Sequence, residues 1–305
     1  MKTELYTKKE SKRYPGLFVL KYKNKVFYDN LWNDDLVEMR GRVVDAEGNT
    51  VINPFTKIFN RFENKTDIDR DELCLAVEKV NGFMAAMTYV PSIDKVVIST
   101  TGSLDSDFVD IAAKHLDFLK EQVRETSAAG TYLFEIVDES DPHIIKEQAG
   151  AYLLGFRRLD QNTYFSAPYN EMVYDAIATD WGVRRPKWFK GRFSEVVVKA
   201  REAMHEGYVV YGLDSGKSLK IKSPYYLTTK FLARIGADKL VDKLKNKTEL
   251  KKTIDEEFYD LIDFVDEYID IFKMLDDQGR IIMIENFLKG EKNVSANPLT
   301  MGGGQ

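Results

Sequence analysis

Between Leu17 and Tyr226 the apolar residues fall in short runs and alternations closed by turn-forming residues, the pattern of strands. LFVLKYK and VFYDN flank Asn24, a hairpin signal. The apolar runs of GRVVDAEGNTVINPF flank Glu47-Gly48-Asn49 and predict a second hairpin. LCLAVEKVNGFMAAMTYV, KVVIST, GTYLFEIV, GAYLLGFRRL, GYVVYGL and SLKIKS supply further strands. Over 104–124, Phe108, Ile111, Ala112, His115, Leu116 and Leu119 recur at helical spacing, and shorter helices are expected over 168–179 and 192–204. After Thr228 the strand pattern stops. Ile254, Phe258, Leu261, Ile262, Val265, Ile269 and Phe272 form a helical stripe with acidic residues opposite. The pattern predicts an α+β chain: a strand-rich domain over 1–227, an all-helical domain over 228–290, and a polar, Gly-rich flexible tail over 291–305. No internal repeat is seen.

Composition narrows the class. The chain has 305 residues, 44% hydrophobic and 30% charged, a balance that excludes wholesale disorder. No segment reaches the roughly 18 uncharged apolar residues of a membrane span. The charged start, MKTELYTKKESKR, does not read as a secretory signal. One cysteine, Cys74, excludes a disulfide framework and reads as a buried small hydrophobe. Three histidines leave little for a histidine-built metal centre. A reducing, cytoplasmic setting is expected. The net charge of −5 excludes a strongly basic nucleic-acid protein but not a basic groove. The densest cations are Arg184, Arg185, Lys187, Lys190 and Arg192 around Trp188, a mixture that suits single-stranded nucleic acid or, equally, a solvated loop with an anchoring tryptophan.

Six stretches carry candidate chemistry. Lys79 in Glu78-Lys79-Val80-Asn81-Gly82 closes an apolar run; alone, it reads as well as a snorkelling surface lysine. Glu135 sits inside the apolar strand TYLFEIV, where a carboxylate is costly unless it binds something. Glu206 opens another apolar strand in His205-Glu206-Gly207. Lys220 and Lys222 alternate around Ile221 and share a face, so their ammonium groups repel unless an anion lies between them; exposed edge lysines are the plainer reading. Upstream, Arg40 lies in Glu38-Met39-Arg40-Gly41, and Lys57 and Phe59 share a face in KIFN, pairing a charge with an aromatic platform.

Taken in order, these stretches resemble the covalent nucleotidyltransferase superfamily of nucleic-acid ligases and capping enzymes, and most of all its phage-type RNA ligase 1 branch, over about residues 30–226. KVNG is similar to the nucleotidyl-lysine motif, TYLFEIV to the third motif, HEG to the fourth and KIK to the fifth. Arg40, Lys57 and Phe59 match the upstream nucleotide-binding elements. Two departures stand out. Asn81 replaces a residue that is often acidic, and Thr101 stands where a basic residue precedes Gly-Ser.

The resemblance implies an antiparallel ligase-adenylation core and an ATP-dependent RNA ligase that uses Mg2+ to join 5′-phosphate and 3′-hydroxyl ends of single-stranded RNA or broken transfer RNA. Lys79 would be the nucleophile. Lys220 and Lys222 would grip the α-phosphate, and Arg40 and Lys57 other phosphates. Glu206 would hold the metal, and Phe59 would stack on adenine. Glu135 would bind the ribose or orient Lys79, with Glu78 and Gly82 completing the nucleotide site. The nucleophile must be neutral near pH 7, a form that burial and nearby cations favour. A phage-encoded chain would act in the host cytoplasm, and no protein partner is implied. The alternatives are a DNA ligase or capping-type enzyme, and a non-catalytic nucleotide- or RNA-binding protein of the same fold.

Three decoys are set aside. Gly212–Ser218 lacks the spacing of a phosphate loop and reads as a hairpin turn. Asp67, Asp69 and Asp71 lack the glycine and glutamate of a calcium loop. His115 reads as a core or boundary residue.

Overall fold

A computed structural model describes residues 4–126, 130–159, 168–235, 237–254 and 256–290. The expected tail over 291–305 lies outside them. The chain divides into two compact units, Met1–Val197 with Gly207–Ile221, and Val198–Glu206 with everything from Lys222 onward. The division after Ile221 falls six residues before the 227/228 boundary expected from the sequence.

Among the described residues, thirteen strands run through the first unit, the last of them continuing to Lys222. In chain order they are β1 (Tyr6–Glu10), β2 (Phe18–Tyr22), β3 (Arg40–Val44), β4 (Thr50–Ile52), β5 (Phe59–Asn60), β6 (Leu73–Glu78), β7 (Phe83–Val90), β8 (Lys95–Thr100), β9 (Gly130–Val137), β10 (Gly150–Arg158), β11 (Trp188–Arg192), β12 (Gly207–Gly212) and β13 (Ser218–Lys222). They form three sheets: β1-β2-β3-β4, β10-β9-β7-β8 and β11-β6-β12-β13-β5. The assigned strand pairs are antiparallel except β13 with β5.

The first two sheets face each other across a core of Leu17, Val19, Val43 and Ile52 against Ala86, Val90, Val97 and Leu133. Strand alternation gives the second sheet another apolar face, with Ala85, Met87, Phe134 and Ile136. Helices Asp107–Leu116 and Pro168–Trp181 cover it through Val109, Ala112, Leu116, Tyr174 and Ala178. Each fully buried large apolar side chain of this kind is worth about 1.5–3 kcal/mol. Both sequence hairpins at Glu47–Asn49 and Asp214–Gly216 are present, with Gly48 and Gly216 at positive φ.

Two expectations are corrected. VFYDN is not a strand: Asn24–Tyr28 forms a helical turn, because one buried residue, Val26, packs on Leu36 and Met39, and there is no alternating face to bury. The helix over 104–124 is broken, an α-helix ending at Leu116, a 3-10 turn at Asp117–Leu119 and a second helix at Lys120–Thr126.

In the second unit every described element beyond Lys222 is a helix, from Pro224–Ile235 to Asp277–Lys289. Phe231, Leu240, Phe258, Leu261, Ile262, Val265, Phe272 and Ile284 form its core, so the helical stripe read from the sequence is its buried face.

Candidate active site

Lys79 follows the last residue of β6. Its backbone N–H donates to Gly207 O at 2.9 Å, while Glu78 N–H donates to Lys187 O at 2.8 Å. The end of the strand is thus tied on both sides, and the lysine leaves a fixed point. The turn that follows is fixed as well. Gly82 N–H donates to Glu135 Oε1 at 3.2 Å, and a Cβ at Gly82 would lie 2.2 Å from Ile136 O. Only glycine lets the KVNG turn close this tightly on β9. Asn81 is buried, and its Oδ1 accepts the Ile145 N–H at 3.1 Å.

A cavity of about 340 Å³ opens over this turn, within the size range of small-ligand sites. Lys79, Glu78, Gly82 and Glu135 form one part of its wall and Arg40, Thr101 and Lys220 another. Ile58, Val77, Val209 and Tyr211 give it an apolar side, continuous with the small cluster around Leu75. Alternation puts Val209 and Tyr211 on one face of β12, and that face is the cavity wall. Lys220 arrives on β13, held in register by pairing with Asn60 of β5.

The wall is braced by buried charge. Arg157, 1% exposed, donates to both Glu38 carboxylate oxygens at 2.9 and 3.1 Å and to Pro54 O at 2.5 Å. Glu38 also accepts from Arg42 at 2.8 Å and from the Thr56 hydroxyl at 2.5 Å. This network ties β10 to the segment that carries Arg40 and to the loop before Ile58. Gly41, at φ +91°, lets β3 close onto Thr100 and Thr101, since a Cβ there would lie 2.8 Å from Thr101 Cα.

The expected site residues do not all converge. Lys79, Glu78, Gly82, Glu135, Arg40 and Lys220 line the cavity together. Lys57 and Phe59 share a face, as alternation requires, but their neighbour Ile58 is the cavity residue. Lys57 pairs with Glu63 at 2.8 Å and lies 4.8 and 4.7 Å from the centres of the Trp32 and Phe59 rings; Phe59 is buried edge-on against Trp32. Glu206, 3% exposed, and Lys222 belong to the second unit. The carboxylate of Glu257 pairs with Lys222 and, at 2.7 Å, with Lys230, so the anion beside Lys222 is a protein side chain. Burial lowers the Lys222 pKa, with Glu257 opposing; for Glu257 burial alone would raise the pKa, and the two lysines outweigh it and hold it below the usual carboxylate range.

Sequence reasoning missed Glu171, Thr56, Leu154, Val209 and Tyr211. The alternation of GYVVYG could have found the last two. Nothing local marks Glu171, which is 1% exposed and ion-paired to Arg185. That pair also alters the reading of the basic stretch. Arg185 holds Glu171 and Asp175, Trp188 donates to Asp175 at 2.9 Å, and Arg184 donates to Ala149 O at 3.1 Å. Lys187 and Lys190 remain exposed. Cys74 is fully buried, with its thiol pushed up to about 12, mainly by burial.

The cavity brings together an apolar wall, the carboxylates of Glu78, Glu135 and Glu171, and the cations Lys79, Arg40 and Lys220. Among the described residues no cluster of three or more His, Cys, Asp or Glu could hold a metal by itself, whereas a phosphate-bound metal needs only one or two carboxylates. No described helix is long and apolar enough to cross a membrane.

No family model and no curated protein match the sequence. Solved structures do. An archaeal ATP-dependent RNA ligase, in two crystal forms, superposes with a TM-score of 0.55 at 18% and 19% identity, covering 93% and 94% of this chain and 72% of its own. A candidate ATP-dependent DNA ligase from Aquifex aeolicus gives 0.53 at 14% identity, covering 94% and 76%. These likenesses do not single out the phage-type branch; what the chain has is the fold of the ATP-dependent nucleic-acid ligases.

Proposed function

We propose that the chain is an ATP-dependent RNA ligase acting through an adenylated Lys79. The observation that carries the reading is the single cavity that holds the Lys79 turn, the carboxylates of Glu78 and Glu135, the cations Arg40 and Lys220, and an apolar wall. Phosphoryl transfer needs positioning and charge neutralisation more than covalent help from the protein. Here the fixed turn positions the amine and the two cations neutralise phosphate.

In the first step the neutral Lys79 amine attacks the α-phosphorus of ATP. An N–P bond forms, the bond to pyrophosphate breaks, and the amine loses its proton. The resemblance assigns a divalent cation, Mg2+, to Glu206; bound there, it would offset the charge of the departing pyrophosphate. In the second step a 5′-phosphate oxygen takes the adenylyl group and frees Lys79. In the third a 3′-hydroxyl attacks that 5′-phosphorus and AMP departs. The choice of RNA over DNA rests on the order of EMRG and KIFN ahead of KVNG.

The test is to incubate the protein with α-labelled ATP and Mg2+. The wild type acquires protein-bound AMP that survives alkali and is released by acid, as a phosphoramide is, and Lys79→Ala acquires none. Absence of label on the wild type leaves a nucleotide-binding protein without ligase chemistry. Sealing of RNA but not DNA ends by the labelled enzyme decides the substrate, and the opposite preference would replace RNA with DNA.

A further inference from the structure

β2 and β3 meet at a bulge. Leu20 pairs with Arg42, the next pair is Lys21 with Arg40, and Gly41 is the extra residue. Lys21 and Arg40 are therefore directly opposed and share a face, an arrangement in which like charges destabilise a sheet. Neither side chain has a hydrogen-bond or ion-pair partner among the described residues. The nearby carboxylate of Glu38 is already taken by Arg42, Arg157 and Thr56.

The two cations sit at a specific place. Arg40 lines the cavity, as does Thr101. Lys21 reaches the same corner: a Cβ built on Gly102 would lie 3.4 Å from Lys21 Nζ and 3.6 Å from its Cδ. The positive φ of Gly41 and its close approach to Thr101 bring this corner together. A threonine thus occupies the wall, while a lysine from another strand lies against the following residue.

We propose that Lys21 is a phosphate-binding residue of the cavity, forming with Arg40 and the Thr101-Gly102 segment a subsite for a terminal phosphate. The anion resolves the repulsion that the bulge creates. Two sources present the same chemistry at this corner, the β- and γ-phosphates of ATP and the 5′-phosphate of a nucleic-acid end. The assignment rests on the ligase reading for the identity of the ligand, not for the existence of the anion subsite.

Binding of inorganic tripolyphosphate to the full chain, followed by titration calorimetry, reads the subsite without any chemistry. Lys21→Gln should weaken it about tenfold, the loss expected for one charge-assisted contact, and Lys21→Arg should retain it. The Lys21 side chain is exposed, so the fold tolerates the change. Adding Thr101→Lys to Lys21→Gln should recover binding, because the new ammonium enters the same corner. Two Michaelis constants then separate the sources: a rise in that for ATP during self-adenylation assigns the nucleotide phosphates, and a rise in that for a 5′-phosphorylated RNA end assigns the nucleic acid. Tripolyphosphate binding by Lys21→Gln equal to wild type overturns the proposal, as does a lowered turnover with both Michaelis constants unchanged. A wild type that binds tripolyphosphate through Lys21 yet takes no label from ATP removes the ligase reading and leaves the subsite standing.

Discussion

Gly48 and Gly82 have separable physical reasons. Gly48 turns a hairpin at φ +91° with open space around it. At Gly82 the backbone conformation is ordinary and the obstacle is the β9 carbonyl of Ile136, 2.2 Å from any Cβ. Gly82→Ala must push the KVNG turn off β9 and break the Gly82–Glu135 hydrogen bond, which moves the origin of the Lys79 side chain. A displacement of about 1 Å at a reacting group costs on the order of 100-fold in rate. Self-adenylation by Gly82→Ala should fall by about that factor. Gly48→Ala should lose about 1–2 kcal/mol of stability, the cost of a side chain in left-handed backbone, with adenylation unchanged. Equal adenylation by Gly82→Ala and wild type would mean the turn does not set the lysine. Asn81 makes a related point: its carbonyl oxygen accepts the N–H of Ile145, so that part of the side chain fastens a loop, a use that cannot be read from KVNG alone.

Strands and their turns were legible because alternation and Gly-Asn or Ser-Gly pairs are local signals. What one strand does for another was not. Glu38 and Arg157 stand 119 residues apart and nothing near either announces the pair, yet together they clamp β10 against the elements bearing Arg40 and Ile58. Period-two reasoning placed Lys57 and Phe59 on one face correctly, but period alone cannot say which face looks into a cavity; the aromatic box of Trp32 and Phe59 around Lys57 decided it. Removing one partner of a buried ion pair costs about 3–5 kcal/mol, because the remaining charge is stranded. Glu38→Ala strands Arg157 and loosens Arg42 and Thr56 as well. Its melting temperature should therefore fall by on the order of 10 °C, at about 2–4 °C per kcal/mol for a unit of this size. Glu38→Gln, which keeps the hydrogen-bond acceptor, should fall less. An unchanged melting temperature for Glu38→Ala would show that the clamp is not holding the wall.

The division into two units passes through the short sequence LKIK: Lys220 goes with the sheets and Lys222 with the helices. The repulsion argument expects an anion between Lys220 and Lys222; the anion beside Lys222 is shared instead with Lys230. That anion lies 35 residues further on, and only the fold of the helical unit supplies it, as Glu257 held between Lys222 and Lys230. The pairing makes the helical unit sensitive to acid, and the sign follows from the direction of the shift. A carboxylate held below its ordinary pKa stabilises the fold above the unfolded value, and that stability drains away as pH falls through the folded one. The urea midpoint of the 222 nm helical signal should be flat from neutrality down to the ordinary carboxylate range and drop below it. Glu257→Gln should lower the neutral midpoint, since Lys222 and Lys230 lose their charge partner, and should flatten the acid limb. Trp32, Trp181 and Trp188 all lie in the other unit, so tryptophan fluorescence reports separately on the sheets. An acid limb of undiminished slope in Glu257→Gln would mean that other carboxylates, not this one, carry the pH response of the helices.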